Sequence, residues 1–165
     1  MYQIKKQPDL EKNYQLMAYM SKRVLEDTQD SISALSNLSA VINGYMDGIN
    51  WVGFYIMKNG ELVLGPFQGL PACINIKVGK GVCGTAVAER KTQIVEDVSK
   101  FPGHIACDSA SKSEIVIPIY NGEDVFGVLD VDSPNLNRFE ELECKYLSEI
   151  CLFLEKFIAE KDDNQ

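Results

Sequence analysis

The sequence predicts an α+β fold, a central six-stranded and mostly antiparallel sheet flanked by helices from the N- and C-terminal parts of the chain. Three observations predict it. Apolar residues recur at helical spacing over residues 10–47 and again over 139–160. Between these stretches the period changes to short runs rich in β-branched and aromatic residues, the pattern of strands. Two Asn-Gly pairs, Asn59-Gly60 and Asn121-Gly122, sit between such runs as hairpin turns, which makes the strands they join antiparallel.

The elements follow in order. Residues 10–26 form the first predicted helix. Leu10, Tyr14, Met17, Ala18, Val24 and Leu25 fall on its apolar face, and Asp9, just after Pro8, is its N-cap. Residues 31–46 form the second, with Ile32, Leu35, Leu38, Val41, Ile42 and Tyr45 on one face and a stop near Asp47-Gly48. NWVGFYIMKNGELVLGPF reads as a hairpin with strands at about 51–57 and 62–66. A third strand runs from Cys73 to Lys77. The glycine-rich VGKGVCGTAVAERK leads into a short helix at about 82–90, and QIVEDV supplies a strand near 93–96. Residues 98–113 form a long loop, and loops of that length inside compact folds are commonly functional. SEIVIPIYNGEDVFGVLDVDS is a second hairpin. The final helix, at about 139–160, turns Phe139, Leu142, Tyr146, Leu147, Ile150, Leu154 and Phe157 inward. The chain has 165 residues and no repeat, linker or low-complexity tract, so one domain is expected.

Composition narrows the function classes. The net charge is −8, and no Lys/Arg cluster is present. Nucleic acids and anionic membranes are bound through such clusters, so neither is an expected partner. No apolar run approaches the roughly 20 residues of a membrane span. The start, MYQIKKQPDLEKN, lacks the apolar segment of a signal peptide, which points to the cytoplasm. Structural disulfides are rare there, so five cysteines lean towards metal or catalysis.

Cys73, Cys83 and Cys107 do not have the CxxC spacing of a zinc site, and one histidine is available, so no metal is expected. Cys107 sits in the long loop, three residues after His104. A nearby cation activates a thiolate, and His104 is a candidate for that charge; the alternative is an ordinary surface loop residue. Cys83 lies among glycines at a predicted helix N-terminus, which favours a lowered pKa. The glycine-rich turn hints weakly at phosphate binding, but the P-loop pattern is absent. Cys73 alone would pass for a small core residue. Cys144 and Cys151, seven apart on the last helix, read as core.

Asp130 and Asp132 are two apart in a predicted strand, so both point to one face. At ~7 Å and an effective dielectric near 20, two such charges repel by roughly 2 kcal/mol. The pair is suited to a cation, either a substrate ammonium or a hard metal ion, unless the strand end simply faces water. Glu114 begins the partner strand. Desolvated beside the aspartates its pKa would rise, which would fit it to protonate an oxygen leaving group. Trp51 and Tyr55 flank Gly53 on one strand face. They are either ligand walls, with room between the rings, or core aromatics.

GPFQGLPACINIKVGKGVCGTA, EDVSKFPGHIACDSASKSEIVIPI and GVLDVDSP together resemble the free methionine-(R)-sulfoxide reductases, enzymes on the GAF fold. The resemblance extends over nearly everything from Ile49 to Phe157. It implies that Cys107 in GHIACD is the catalytic cysteine, Cys73 in PACI the main resolving cysteine, and Cys83 in GKGVCG the third redox cysteine. It implies that Trp51 and Tyr55 wall the methyl-sulfoxide end and that Glu114 is the acid near the sulfoxide oxygen. Asp130 and Asp132 would hold the substrate ammonium. The implied reaction needs no bound cofactor: Cys107 becomes a sulfenic acid, Cys73 or Cys83 forms a disulfide with it, and thioredoxin restores the thiols. GAF domains often dimerise through their terminal helices, which makes a homodimer an expectation of the same kind.

A second reading is a non-catalytic GAF sensor or binding module for a small ligand such as a cyclic nucleotide. The sequence lacks an Asn-Lys pair like that of the cyclic-nucleotide-binding GAF domains, and it keeps all three spaced cysteines. Both facts favour the enzyme.

Overall fold

The computed structural model describes residues 1–105 and 107–162. Two helices open the chain, α1 (Leu10–Glu26) and α2 (Ser31–Tyr45). Strands β1 (Trp51–Lys58), β2 (Glu61–Gln68) and β3 (Asn75–Lys77) follow, then helix α3 (Gly81–Glu89) and strand β4 (Gln93–Val95). After one 3-10 turn at Val98–Lys100 come β5 (Ser113–Asn121), β6 (Asp124–Ser133) and the long helix α4 (Glu141–Asp162). The six strands form one sheet in the order β3-β2-β1-β6-β5-β4, and every neighbouring pair is antiparallel. The expected α+β architecture is therefore present, and none of the described helices is long and apolar enough to cross a membrane.

Local chemistry explains the boundaries. Asp9 caps α1 as expected, accepting a hydrogen bond from the Lys12 backbone N–H at 2.8 Å, and Asp30 does the same for Ser33 of α2 at 2.7 Å. Asn59 and Gly60 turn with φ of 52° and 80°, the left-handed pair a tight hairpin requires. The second hairpin turns one residue later than predicted. Asn121 is still paired with Asp124, and Gly122 and Glu123 make the loop. Cys73 lies just before β3 rather than in it, so the predicted strand was two residues too long.

The two faces of the sheet have different coverings. One face, carrying Val52, Phe54, Ile115, Ile117, Ile119, Leu129 and Val131, packs against α1, α2 and α4 in one continuous core. The terminal helices thus share one face, as expected. The other face carries Trp51, Tyr55, Val116 and Val128 and is covered by α3 through Val82, Cys83, Ala86 and Val87. Leu10 and Ile32, predicted to face inward, are 51% and 70% exposed. Each lies in the first turn of its helix, ahead of the first buried residues, Asn13 and Ala34. Cys151 is core as expected, and Cys144 packs against it half-buried.

A polar knot ties α1 to the start of α4. Glu143 accepts hydrogen bonds from Arg138 at 2.9 Å, from Tyr14 at 3.0 Å and from the Glu140 backbone N–H at 3.0 Å. Arg138 also donates to the Asp47 carbonyl. Burial works against the Glu143 charge, but these hydrogen bonds and the Arg138 guanidinium outweigh it and hold the carboxyl below its usual range. Removing one partner of a buried pair typically costs 3–5 kcal/mol. The Arg138 side chain keeps 18% of its surface in water, so Arg138→Met should cost less, about 2–3 kcal/mol in urea unfolding at pH 7. A depressed carboxylate stabilises above its unfolded pKa of about 4.3 and stops doing so as pH falls through its folded value. The gap between wild type and variant should therefore shrink as unfolding is repeated towards pH 3.

Candidate active site

Strand register assembles the acidic group. Asp132 pairs with Trp51 of β1 on one side and Glu114 of β5 on the other. Asp130 pairs with Gly53 and Val116. Because side chains alternate, Glu114, Asp130, Asp132, Trp51 and Tyr55 all rise from the sheet face that α3 covers. The expected grouping is thus present. The water-facing alternative fails for Asp130, which like Glu114 is only 6% exposed, whereas Asp132 is half-buried. None of the ion pairs among the described residues includes any of the three acids. The Asp130 Oδ1 atom is buried with no hydrogen-bond partner.

Charge without counter-charge raises all three carboxyls. Burial, then repulsion from Asp130 and Asp132, pushes Glu114 well above its ordinary value. Burial pushes Asp130 up to about 6, with Glu114 and Cys83 beside it pulling the other way. Burial, then Asp130 and Asp108, raises Asp132. Glu114 is therefore biased towards its protonated form, and so is Asp132.

Cys83 sits above this group. Its Sγ lies 4.0 Å from Glu114 Oε1, and the thiol is fully buried. The sequence suggested a lowered pKa at the α3 N-terminus, and the structure reverses this. Burial comes first and the three carboxylates second, and both push the thiol well up. The helix end is too weak a field to compete. Of the surrounding glycines, Gly79 and Gly81 take positive φ, and Gly84 lies against backbone. A Cβ at Gly84 would lie 2.3 Å from the Lys77 carbonyl.

Cys73 and Cys107 are joined by a disulfide, with Cα atoms 5.4 Å apart across 34 residues of sequence. Both are half-buried, and Cys107 lines a cleft together with Trp51, Tyr55, Cys83, His104, Glu114, Asp130 and Asp132. Burial lowers the His104 pKa. That favours neutral imidazole and counts against the thiolate-stabilising cation, leaving the alternative of an ordinary loop residue.

The aromatic residues differ from expectation in one respect. Trp51 and Tyr55 are stacked on each other with centroids 5.9 Å apart, so no ligand lies between them. Phe67 stacks on Trp51 from the other side at 5.2 Å, and Gly53 makes room for these rings. The three form one wall. Its polar tips hold the Cys73 segment: Trp51 Nε1 donates to the Leu70 carbonyl at 3.1 Å and the Tyr55 hydroxyl to the Cys73 carbonyl at 2.9 Å.

Sequence reasoning missed Phe67 and Asn50. The Asn50 side chain donates to Asp108 and to Ser111, at 3.0 and 3.1 Å, and so fastens β1 to the loop carrying Cys107. Its position directly before Trp51 in NWVGFY was the available signal.

The family pattern of the GAF domain matches residues 22–158. The free methionine-R-sulfoxide reductase of Escherichia coli is 48% identical over 131 residues, 79% of this chain and 79% of that protein. This chain belongs to the free methionine-R-sulfoxide reductase family. The Neisseria meningitidis reductase of this name, solved in complex with its substrate, superposes with a TM-score of 0.94 at 40% identity, covering 99% of each chain. The Bacillus subtilis protein YtsP is 50% identical over 163 residues, covering 97% of this chain and all of that one. As a member of the reductase family, the chain combines the GAF sheet with a cleft lined by two cysteines and three acids, the third cysteine being disulfide-bonded to one of the two.

The buried acids are costly to the reductase fold. Raised carboxyls bind protons more tightly when folded, so they stabilise below their unfolded values near 4 and lose that contribution as pH rises through their folded ones. Scanning calorimetry should show stability falling from about pH 4 through 6 and beyond, the window opened by Asp130 and extended by Glu114 and Asp132. Glu114→Gln and Asp130→Asn should each stabilise the ligand-free protein at pH 7.5, by about 1–2 kcal/mol.

Proposed function

We propose that this chain reduces free L-methionine-R-sulfoxide to methionine, with Cys107 as nucleophile. The observation that carries the reading is the Cys73–Cys107 disulfide opening onto a cleft floored by Glu114, Asp130 and Asp132. The family membership and a relative solved with its substrate support it.

The chemistry balances with these groups alone. The Cys107 thiolate attacks the sulfoxide sulfur while Glu114, whose raised pKa favours the protonated carboxyl, protonates the oxygen. Methionine leaves and Cys107 carries the oxygen as sulfenic acid. The Cys73 thiol attacks that sulfur, water leaves, and the disulfide forms. An external dithiol then reduces the disulfide by exchange, and thioredoxin is the reductant of choice for a cytoplasmic enzyme of this kind. No bound cofactor enters. Cys83 is a poor attacking thiol, because its raised pKa leaves little thiolate; Cys73 is the better resolving partner.

Asp130 and Asp132 receive the substrate ammonium, and the unpartnered Asp130 Oδ1 supplies an acceptor for one of its N–H groups. A peptide-bound methionine sulfoxide offers an uncharged amide there, which leaves buried carboxylates unpaired. The aromatic wall of Trp51 and Tyr55 packs against the methyl-sulfoxide end.

The test is NADPH oxidation coupled through thioredoxin reductase and thioredoxin, with free R-sulfoxide, free S-sulfoxide and N-acetylated sulfoxide as substrates. Turnover is expected with the free R form alone. Cys107→Ser should abolish it, Glu114→Gln should lower kcat by about 10²–10⁴-fold, and Cys144→Ser and Cys151→Ser should leave it unchanged. Turnover by Cys107→Ser would overturn the mechanism. Rapid turnover of the N-acetylated form would remove the ammonium role from the aspartates.

A further inference from the structure

We infer that Cys83, Glu114 and Asp130 form a site for a thiophilic divalent cation such as Zn²⁺, and that this ion excludes substrate from the cleft. Their donor atoms, one thiol sulfur and two carboxylate oxygens, lie within 4.8 Å of one another. Around tetrahedral zinc, with bonds of about 2.0–2.3 Å to oxygen and sulfur, neighbouring donors sit about 3.5 Å apart. Closing from 4.8 Å, and from 4.0 Å for Cys83 Sγ and Glu114 Oε1, takes only small side-chain rotations.

Two further features point to a cation. Asp130 is 6% exposed, lines the cleft, and its Oδ1 has no partner, so a donor atom is already desolvated and aimed into the site. The three clustered carboxyls form no ion pair among the described residues, so the charge they carry has no counter-charge beside it. The thiol then decides which cation. Mg²⁺ and Ca²⁺ want six or more oxygens and retain waters, which a dry three-donor corner does not offer. A sulfur with two carboxylates suits Zn²⁺ or Co²⁺, with the fourth position turned to the cleft.

The binding step is an exchange of cations: the ion enters, and the thiol proton and any proton on the carboxyl pair leave. No redox partner is needed. Cys83 is free while Cys73 and Cys107 are disulfide-bonded, so the site exists in the oxidised protein as well. The ion would sit where the proposed function puts the substrate ammonium, so the competition, though not the binding, rests on that reading.

The experiment uses the full-length oxidised protein without reductant, so that no turnover occurs. Co²⁺ is titrated in and thiolate-to-cobalt charge-transfer absorption is followed in the near ultraviolet. One equivalent should bind with that band, Zn²⁺ should displace it, and a large excess of Mg²⁺ should not. Cys144→Ser should behave as wild type. Cys83→Ser should lose the band. The near-isosteric Asp130→Asn, which guards against a Cys83 variant that fails to fold, should weaken binding by more than about 100-fold, beyond the 10–100-fold that a merely supporting residue costs a metal site. Absence of the band in folded wild type, or its survival in folded Cys83→Ser, would overturn the site. Free methionine sulfoxide should displace the cobalt; if it binds alongside the ion, the shared position is wrong. Cobalt binding by a protein that turns over no sulfoxide would uphold the site and sink the reductase reading, and the converse result would do the reverse.

Discussion

Glu114, Asp130 and Asp132 stand on adjacent antiparallel strands, on one face, and none of the described ion pairs neutralises them. Cross-strand neighbours lie about 5 Å apart, where two unit charges at an effective dielectric near 20 repel by roughly 3 kcal/mol. All three cannot be charged, buried and empty-handed together. The face must hold positive charge in some form, and a proton on Glu114 is the least that satisfies it. The raised thiol of Cys83, the raised carboxyls of Glu114 and Asp132 and the open acceptor on Asp130 all follow from this one constraint.

The opposite face makes the constraint tolerable. β6 alternates Leu129 and Val131, both fully buried among the terminal helices, with Asp130 and Asp132. The same pleat that locks the apolar pair into the core therefore fixes both acids on the cleft face. Proteins commonly carry such costs where a site demands them, at the expense of stability. Here the reserve comes from α1, α2 and α4, joined at one end by Arg138 and Glu143.

Legibility in the sequence followed period and turn chemistry. Strand count, hairpins and the shared face within each pair, Trp51 with Tyr55 and Asp130 with Asp132, could be read because side-chain alternation is strict and Asn-Gly turns are specific. The cysteine pairing could not be derived from spacing; resemblance supplied it. Three local readings failed for one reason, that environment outweighs sequence neighbours. Cys83 looked activated by a helix end, but burial and carboxylates from β5 and β6 decide its proton. His104 looked like a cation until burial was counted. Gly53 looked like space for a ligand, whereas Phe67, on the neighbouring strand, and the Trp51 ring claim it.

The aromatic wall links substrate contact to thiol chemistry. Trp51 and Tyr55 reach past the cleft to backbone carbonyls at Leu70 and Cys73, and they do so from a strand buried on both faces. These bonds hold the Cys73 segment from its main chain, leaving the sulfur free to change partners. Burial, with the nearby acids adding to it, raises the Tyr55 pKa, so its hydroxyl keeps the proton it donates. The Cys107 segment is held differently, through side-chain bonds from Asn50 to Asp108 and Ser111. In the proposed cycle Cys107 must face substrate in one step and Cys73 in the next. A fixed Cys73 segment confines that change to the loop, whose side-chain fastenings exchange more readily than the strand-borne wall. In that cycle the sheet supplies both the surface against which the sulfoxide would pack and the anchor from which the disulfide forms.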